Sequence, residues 1–173
     1  MHMLHLLRHA KSSWSEDVED HERPLSRRGR DSARLLAKHL PRMVGAIDLV
    51  LCSNAQRTRQ TLDLVVAEFA ARPQSAIEAG LYLAEPAGLM ERLQRLPETA
   101  ANVLVIGHNP GLHELAMTLA APHSPHFGRL AGGKFPTAAL ASFRVEGPWS
   151  GLDRSRHEVV GYVTPASLAG EAE

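Results

Sequence analysis

Arg8 and His9 stand side by side directly behind the apolar run Met3-Leu4-His5-Leu6-Leu7, and Ala10, Lys11 and Ser12 follow. Two later segments place similar side chains behind similar runs. Arg57 lies in Ser53-Asn54-Ala55-Gln56-Arg57 after Ile47–Cys52, and His108 lies in Gly107-His108-Asn109-Pro110-Gly111 after Val103–Ile106. A histidine is a nucleophile when one ring nitrogen is unprotonated and an acceptor holds the other, fixing tautomer and aim. Guanidinium forks match phosphate oxygens, and a second imidazole donates one more hydrogen bond to growing charge. These are the parts of a phosphoryl-transfer site: His9 as nucleophile, with Arg8, Arg57 and His108 as the anion pocket. Opposite unit charges 4 Å apart are worth roughly 4 kcal/mol at an effective dielectric near 20, so two arginines offer several kcal/mol before desolvation is subtracted. Lys11 and Ser12 either touch the phosphate or cap a helix. No carboxylate cluster demands magnesium and no thiolate set suits zinc.

The elements that must hold these residues alternate between strand and helix. Residues 3–8 read as a strand and 10–25 as a polar loop. Ser26 reads as the N-cap of a helix carrying Ala33, Leu36, Ala37 and Leu40 until Pro41. Residues 47–52 read as a buried strand, and Ser53-Asn54 as the cap of a helix with Leu62, Val65, Val66 and Phe69 on one face. A weaker strand covers 77–83. A short helix starts at Pro86 and stops before Pro97. Val103–Ile106 is the clearest buried strand, and a helix carrying Leu112, Leu115, Ala116 and Leu119 follows. Residues 121–136, rich in Pro, Gly and His, read as a long loop with Lys134 on a flap. Residues 139–145 and 158–163 read as closing strands, and the tail from about 166 as weakly ordered. Such alternation predicts an α/β fold with a largely parallel sheet and helices on both faces. In that arrangement strand ends meet at one edge, where open α/β sheets bind ligands.

The 173 residues suit one domain, 1–173. Nineteen basic and nineteen acidic residues leave no net charge, which argues against a broad nucleic-acid or membrane footprint. No segment reads as a signal peptide or a membrane span. The one cysteine, Cys52, fits a core position in a reducing compartment, so the cytoplasm is the expectation. His2, His5, His123 and His126 match no metal-ligand spacing and read as solvated or loop histidines. Asp20 and Arg23 pair to shape the loop or touch substrate.

Leu7-Arg8-His9-Ala10-Lys11-Ser12 resembles the signature of the histidine phosphatase superfamily, whose third signature residue is usually glycine. Asp20-His21-Glu22-Arg23-Pro24-Leu25 with Arg28-Gly29, Ser53 through Thr61, Gly107 through Gly111, and Phe135-Pro136-Thr137-Ala138 resemble, in order, blocks of its small SixA-type branch, the phosphohistidine phosphatases. The resemblance implies a three-layer α/β/α sandwich, phosphoglycerate mutase-like, without metal or cofactor. It implies His9 as the phosphorylated nucleophile, Arg8, Arg57 and His108 as the pocket, and Arg57 over its neighbour Arg59. Ala10 in place of glycine implies a changed backbone approach to the phosphate. Larger members carry a catalytic acid in an inserted segment. Here that segment is short, and Glu78 and Glu85 near Tyr82 are loose candidates. An alkyl phosphoester expels a poor alkoxide and benefits from protonation, whereas phosphohistidine expels an imidazole. The expectation is therefore a metal-independent phosphatase working through a phosphohistidine intermediate on a phosphorylated protein. A small phosphorylated metabolite is the alternative substrate. A non-catalytic phosphate-binding module is the competing class, and His9 with His108 argue against it because recognition alone needs only the arginines.

Overall fold

The computed structural model describes residues 1–154 and 156–171. Its strands are His2–Arg8 (β1), Leu49–Ser53 (β2), Gln74–Glu78 (β3), Asn102–Gly107 (β4), Leu140–Val145 (β5) and Glu158–Val163 (β6). Its α-helices are Arg27–Val44 (α1), Gln56–Val65 (α2), Pro86–Gln94 (α3), Gly111–Leu119 (α4), Phe127–Gly132 (α5) and Pro165–Glu171 (α6). The strands form one sheet in the order β3-β2-β4-β1-β5-β6. The first four run parallel, and β5 and β6 add antiparallel pairings at one side.

Side-chain alternation explains the unbroken apolar runs. Leu4, Leu6, Val103 and Val105 enter one core with Leu89, Leu93, Leu112 and Leu115 of α3 and α4. Leu7, Leu104 and Ile106 enter the other, with Leu36 and Leu40 of α1, Leu62 and Val65 of α2, and Leu168 of α6. A central parallel strand is covered on both faces, so its interior is mostly apolar, with buried His5 of β1 as a polar exception. The result is the α/β/α sandwich expected from the sequence.

Register places the chemistry. Arg8 lies opposite Gly107, and Cys52 opposite Ile106. His9, His108 and Ser53 therefore leave or end three adjacent parallel strands at one height, on the carboxyl edge of the sheet.

Several boundaries differ from the sequence expectation. Helix α1 does start at Ser26, whose Oγ accepts from Gly29 N–H at 3.0 Å, but it runs through Pro41 to Val44. A proline in the last turn loses only its own donor, and Gly45 N–H closes the turn on Pro41 O at 3.0 Å. Residues 121–136 are not all loop, because α5 lies among them, fixed by buried Leu130 and by Arg129 Nη1 donating to Tyr162 O at 3.1 Å. The tail expected to be weakly ordered from about 166 is helix α6 as far as Glu171, seated by buried Leu168, and its last two positions lie outside the described residues. The third strand lies earlier than expected, at Gln74–Glu78, and a short 3-10 turn over Ala79–Leu81 takes up the rest.

The first turn of α1 packs tightly on the loop behind His9. A Cβ on Gly29 would lie 2.0 Å from the Lys11 carbonyl oxygen, a backbone atom that also accepts from Ser26 N–H and Oγ–H. Gly29→Ala is therefore expected to destabilise the protein by about 1–3 kcal/mol, since neither helix nor loop can yield freely. Denaturant titration checks this, and the variant's turnover should also fall because Lys11 and Ser12 move with the loop.

Candidate active site

His9 leaves β1 with its ring fixed by its own turn. Nδ1 lies 2.7 Å from Ala10 O, so it carries the proton and Nε2 keeps the lone pair. The turn is fastened to α2, because Ala10 N–H donates to Thr61 Oγ1 at 3.0 Å and Thr61 Oγ1–H donates to Arg57 O at 2.8 Å. Burial, with smaller contributions from Arg57, Arg8 and Arg23, holds the His9 pKa down at about 4 against the lift from the Ala10 hydrogen bond. The imidazole is neutral at pH 7, as a nucleophile must be.

Arg57, in the first turn of α2, is 3% exposed. Its Nη1 donates to Asp20 O at 2.7 Å and its Nη2 to Asp20 Oδ2 at 3.0 Å. The same carboxylate takes Arg23 Nε at 3.2 Å and the Tyr82 hydroxyl. Those donors, Tyr82 first, hold the Asp20 carboxyl down at about 2. Arg8 donates from Nη1 to Phe135 O at 3.3 Å, and burial followed by repulsion from Arg57 pulls its pKa below the ordinary guanidinium value.

His108 follows β4, with Nε2 2.8 Å from Ser53 Oγ. Ser53 Oγ also accepts from Ala55 N–H at 3.3 Å; with its own proton given to His108 Nε2, the imidazole proton sits on Nδ1. Burial first, then His9 and Arg57, lower the His108 pKa to about 3. The rings of His9 and His108 are 5.3 Å apart.

Arg8, His9, Lys11, Ser12, Arg57 and His108 line one cleft of about 300 Å³. Among the described residues, three buried nitrogens of the residues lining it have no hydrogen-bond partner: Arg8 Nε, Arg57 Nε and His108 Nδ1. An unpaired buried donor costs about 1–3 kcal/mol, and more when charged. Two guanidinium groups and one imidazole N–H around a basic nitrogen leave a net-positive, donor-rich well. A tetrahedral oxyanion matches such a well in charge and in acceptor character.

The remaining expectations divide. Arg59 is exposed on the opposite side of its helix, so Arg57 is the inward arginine. Asp20 and Arg23 do pair, but Asp20 also carries Arg57 and Tyr82, which sequence spacing did not reveal. Glu78 is held by Arg92 in a two-point ion pair of 2.8 and 2.9 Å, and Glu85 lines a neighbouring groove, so neither borders the cleft. Ala10 does not border it either; it is fully buried in the core on the α1–α2 side of the sheet. Ser53 serves His108, and Ala55 is the N-cap of α2. Trp14, Asn109 and Thr137 border the cleft and were not singled out as site residues, since only the tertiary fold brings them there.

Burial of neutral histidines has a consequence for stability. His5, on β1, bonds Ser142 Oγ and Asn102 Oδ1, each at 2.7 Å, and burial lowers its pKa to about 4. With His9 and His108 it stays neutral in the folded state where the unfolded chain takes up protons, below about pH 6.5. Stability should therefore fall as pH drops from about 6.5 toward 4, by up to roughly 2 kcal/mol per histidine between pH 7 and 5. Urea titrations at the two pH values check this, and His5→Gln should flatten the slope.

The family model of the histidine phosphatase superfamily (branch 1) matches residues 4–81. An uncharacterized protein of Mycobacterium tuberculosis is 35% identical over 161 residues, 92% of this chain and 99% of that one. A solved structure from Nakamurella multipartitia, assigned as a phosphohistidine phosphatase, SixA, superposes with a TM-score of 0.81 at 28% identity, over 95% of this chain and 96% of that one. The protein histidine phosphatase SixA complexed with tungstate superposes with a TM-score of 0.78 at 26% identity, over 96% and 99% of the two chains. Sheet order, strand-end chemistry and these likenesses lead to one assignment: the chain belongs to the histidine phosphatase superfamily and is a phosphatase of that fold.

Proposed function

We propose that the protein removes phosphoryl groups from phosphohistidine in proteins, through a phosphohistidine on His9 and without a metal. The observation that carries this reading is the trio of unpartnered donors, Arg8 Nε, Arg57 Nε and His108 Nδ1, on residues that line the cleft with His9. The two guanidinium groups supply the positive charge that a metal supplies in other phosphatases, and the neutral His108 adds a hydrogen bond. His9 Nε2 attacks phosphorus as the bond from phosphorus to the substrate imidazole breaks. The leaving ring departs neutral, its other nitrogen protonated from solvent. Water then attacks phosphorus, the bond to His9 breaks, and inorganic phosphate leaves with His9 regenerated. The water protons pass to phosphate and solvent.

Substrate class follows from the leaving group. Neither Glu78 nor Glu85 borders the cleft, and Asp20, held ionised among Arg57, Arg23 and Tyr82, is a poor acid. A cleft that no carboxyl group borders among the described residues favours a leaving group that needs little help from a general acid. The tungstate complex of the similar SixA structure accords with an oxyanion in this cleft. No helix among the described residues is long and apolar enough to cross a membrane, and we place the reaction in the cytoplasm.

Comparing turnover of a phosphohistidine protein, a phosphoserine peptide and sugar phosphates, with and without EDTA, tests the reading. The phosphohistidine protein should be preferred by orders of magnitude and EDTA should change nothing. A sugar phosphate that wins by orders of magnitude assigns the cleft to small metabolites instead. Binding without release at any substrate would make it a recognition module.

A further inference from the structure

The cleft gathers four cations, Arg8, Lys11, Arg23 and Arg57, yet its surroundings carry the opposite sign. The segment behind Trp14 exposes Glu16, Asp17, Glu19 and Glu22. Three of these line an open hollow with Asp20, the residue that holds Arg57. A second neighbouring region, a groove of about 720 Å³, shares Leu83 with the cleft and is lined by Glu85, Glu114 and Asp153 against one cation, Arg154. Among the described residues Glu16, Asp17, Glu19, Glu85 and Glu114 form no ion pair. Two large apolar side chains stand at the lip between these regions, Trp14 at 79% and Leu83 at 52% exposure.

We infer that this surface is a docking face for a protein segment in which the phosphohistidine is flanked by lysine or arginine. The inference rests on the proposed function and narrows its substrate class. The anchor is the cleft, where the buried Arg57 Nε and His108 Nδ1 await an acceptor. A phosphoryl group seated there directs the chain on either side of it over Trp14 and Leu83, toward the carboxylates. Cations on that chain meet unpaired carboxylates in the two acidic regions, and the aliphatic stems of the same side chains cover exposed parts of Trp14 and Leu83. A substrate with a second phosphate, or an acidic peptide, sets its surplus charge against the same carboxylates. The arrangement thus separates a lone phosphoryl group in a basic setting from polyphosphorylated metabolites. The separation is one of sign rather than fit, so it weakens with salt.

The test uses the full chain and two phosphohistidine peptides of one sequence, one flanked by lysines and the other by glutamates, with an aryl phosphate as reference. At low ionic strength kcat/KM for the lysine-flanked peptide should exceed that for the glutamate-flanked one by about tenfold or more, chiefly through KM, and the gap should close at high salt. The variant Asp17→Asn/Glu19→Gln/Glu85→Gln/Glu114→Gln should lose the preference while turnover of the aryl phosphate stays within about twofold. A wild-type preference for the glutamate-flanked peptide, no preference, or a preference that survives neutralisation overturns the inference. If neither peptide is hydrolysed, the substrate reading fails. The docking face is then read from how strongly each peptide inhibits aryl phosphate turnover, where equal inhibition overturns it.

Discussion

His9→Ala should release phosphate from phosphohistidine or an aryl phosphate at least about 10⁴-fold more slowly than the native chain, because removing a nucleophile that acts with its partners as a unit forfeits nearly the whole acceleration. Two imidazoles share the cleft, and their hydrogen bonds set them apart. His9 gives Nδ1–H to Ala10 O and keeps Nε2 unprotonated. With the Ser53 hydroxyl donating to His108 Nε2, that ring carries its proton on Nδ1. One ring then offers a lone pair and the other a donor. Their depressed pKa values, about 4 and about 3, keep both rings neutral at pH 7. Rapid quenching of the native chain during turnover should trap an acid-labile, base-stable phosphoryl label on His9. In His108→Ala the label should still form, more slowly, whereas in His9→Ala it should be absent. A label mapped to His108 would reverse the two roles.

The two cleft histidines were legible because each sits where an apolar run stops, and a buried strand followed by an ionisable side chain has few structural uses. Arg57 was separable from Arg59 by resemblance alone. The structure supplies the physical reason, since residues two apart on a helix face opposite ways, one buried and one exposed. The supports were not legible. Ser53 reads as a helix cap until β2 is laid beside β4 and its hydroxyl meets His108, 55 residues away. Asp20 reads as the local partner of Arg23, three residues on, and nothing in the spacing announces Arg57 or Tyr82. Helices α5 and α6 were hidden for another reason. Phe-Gly-Arg-Leu-Ala-Gly has poor intrinsic helix propensity, and one buried leucine in each helix, Leu130 and Leu168, seats it on the core.

Asp20 is also the reason a modest change at position 57 should be severe. Arg57→Lys retains charge and most of the length, yet kcat/KM should fall by about 10²–10³, near 3–4 kcal/mol, the cost of losing one oriented donor to a developing oxyanion. Arg57 commits Nη1 to the Asp20 carbonyl and Nη2 to its carboxylate, which fixes the plane of the guanidinium and leaves Nε without a partner. A lysine ammonium is a single point with rotatable protons. It can sit on Asp20 or reach toward the cleft, but it cannot do both, and the nearby carboxylate holds it away from substrate. Arg59→Lys, on the exposed face of the same turn, should stay within about twofold. Asp20→Asn should fall between the two. It keeps the carbonyl contact to Nη1 but weakens the hold on Arg57, Arg23 and Tyr82 together, so kcat should drop more than KM rises. Inhibition by inorganic phosphate separates the outcomes: it should weaken strongly in Arg57→Lys, weakly in Asp20→Asn and not at all in Arg59→Lys. Equal inhibition across the three would mean that Arg57 orders the Asp20 loop and does not meet the phosphoryl group.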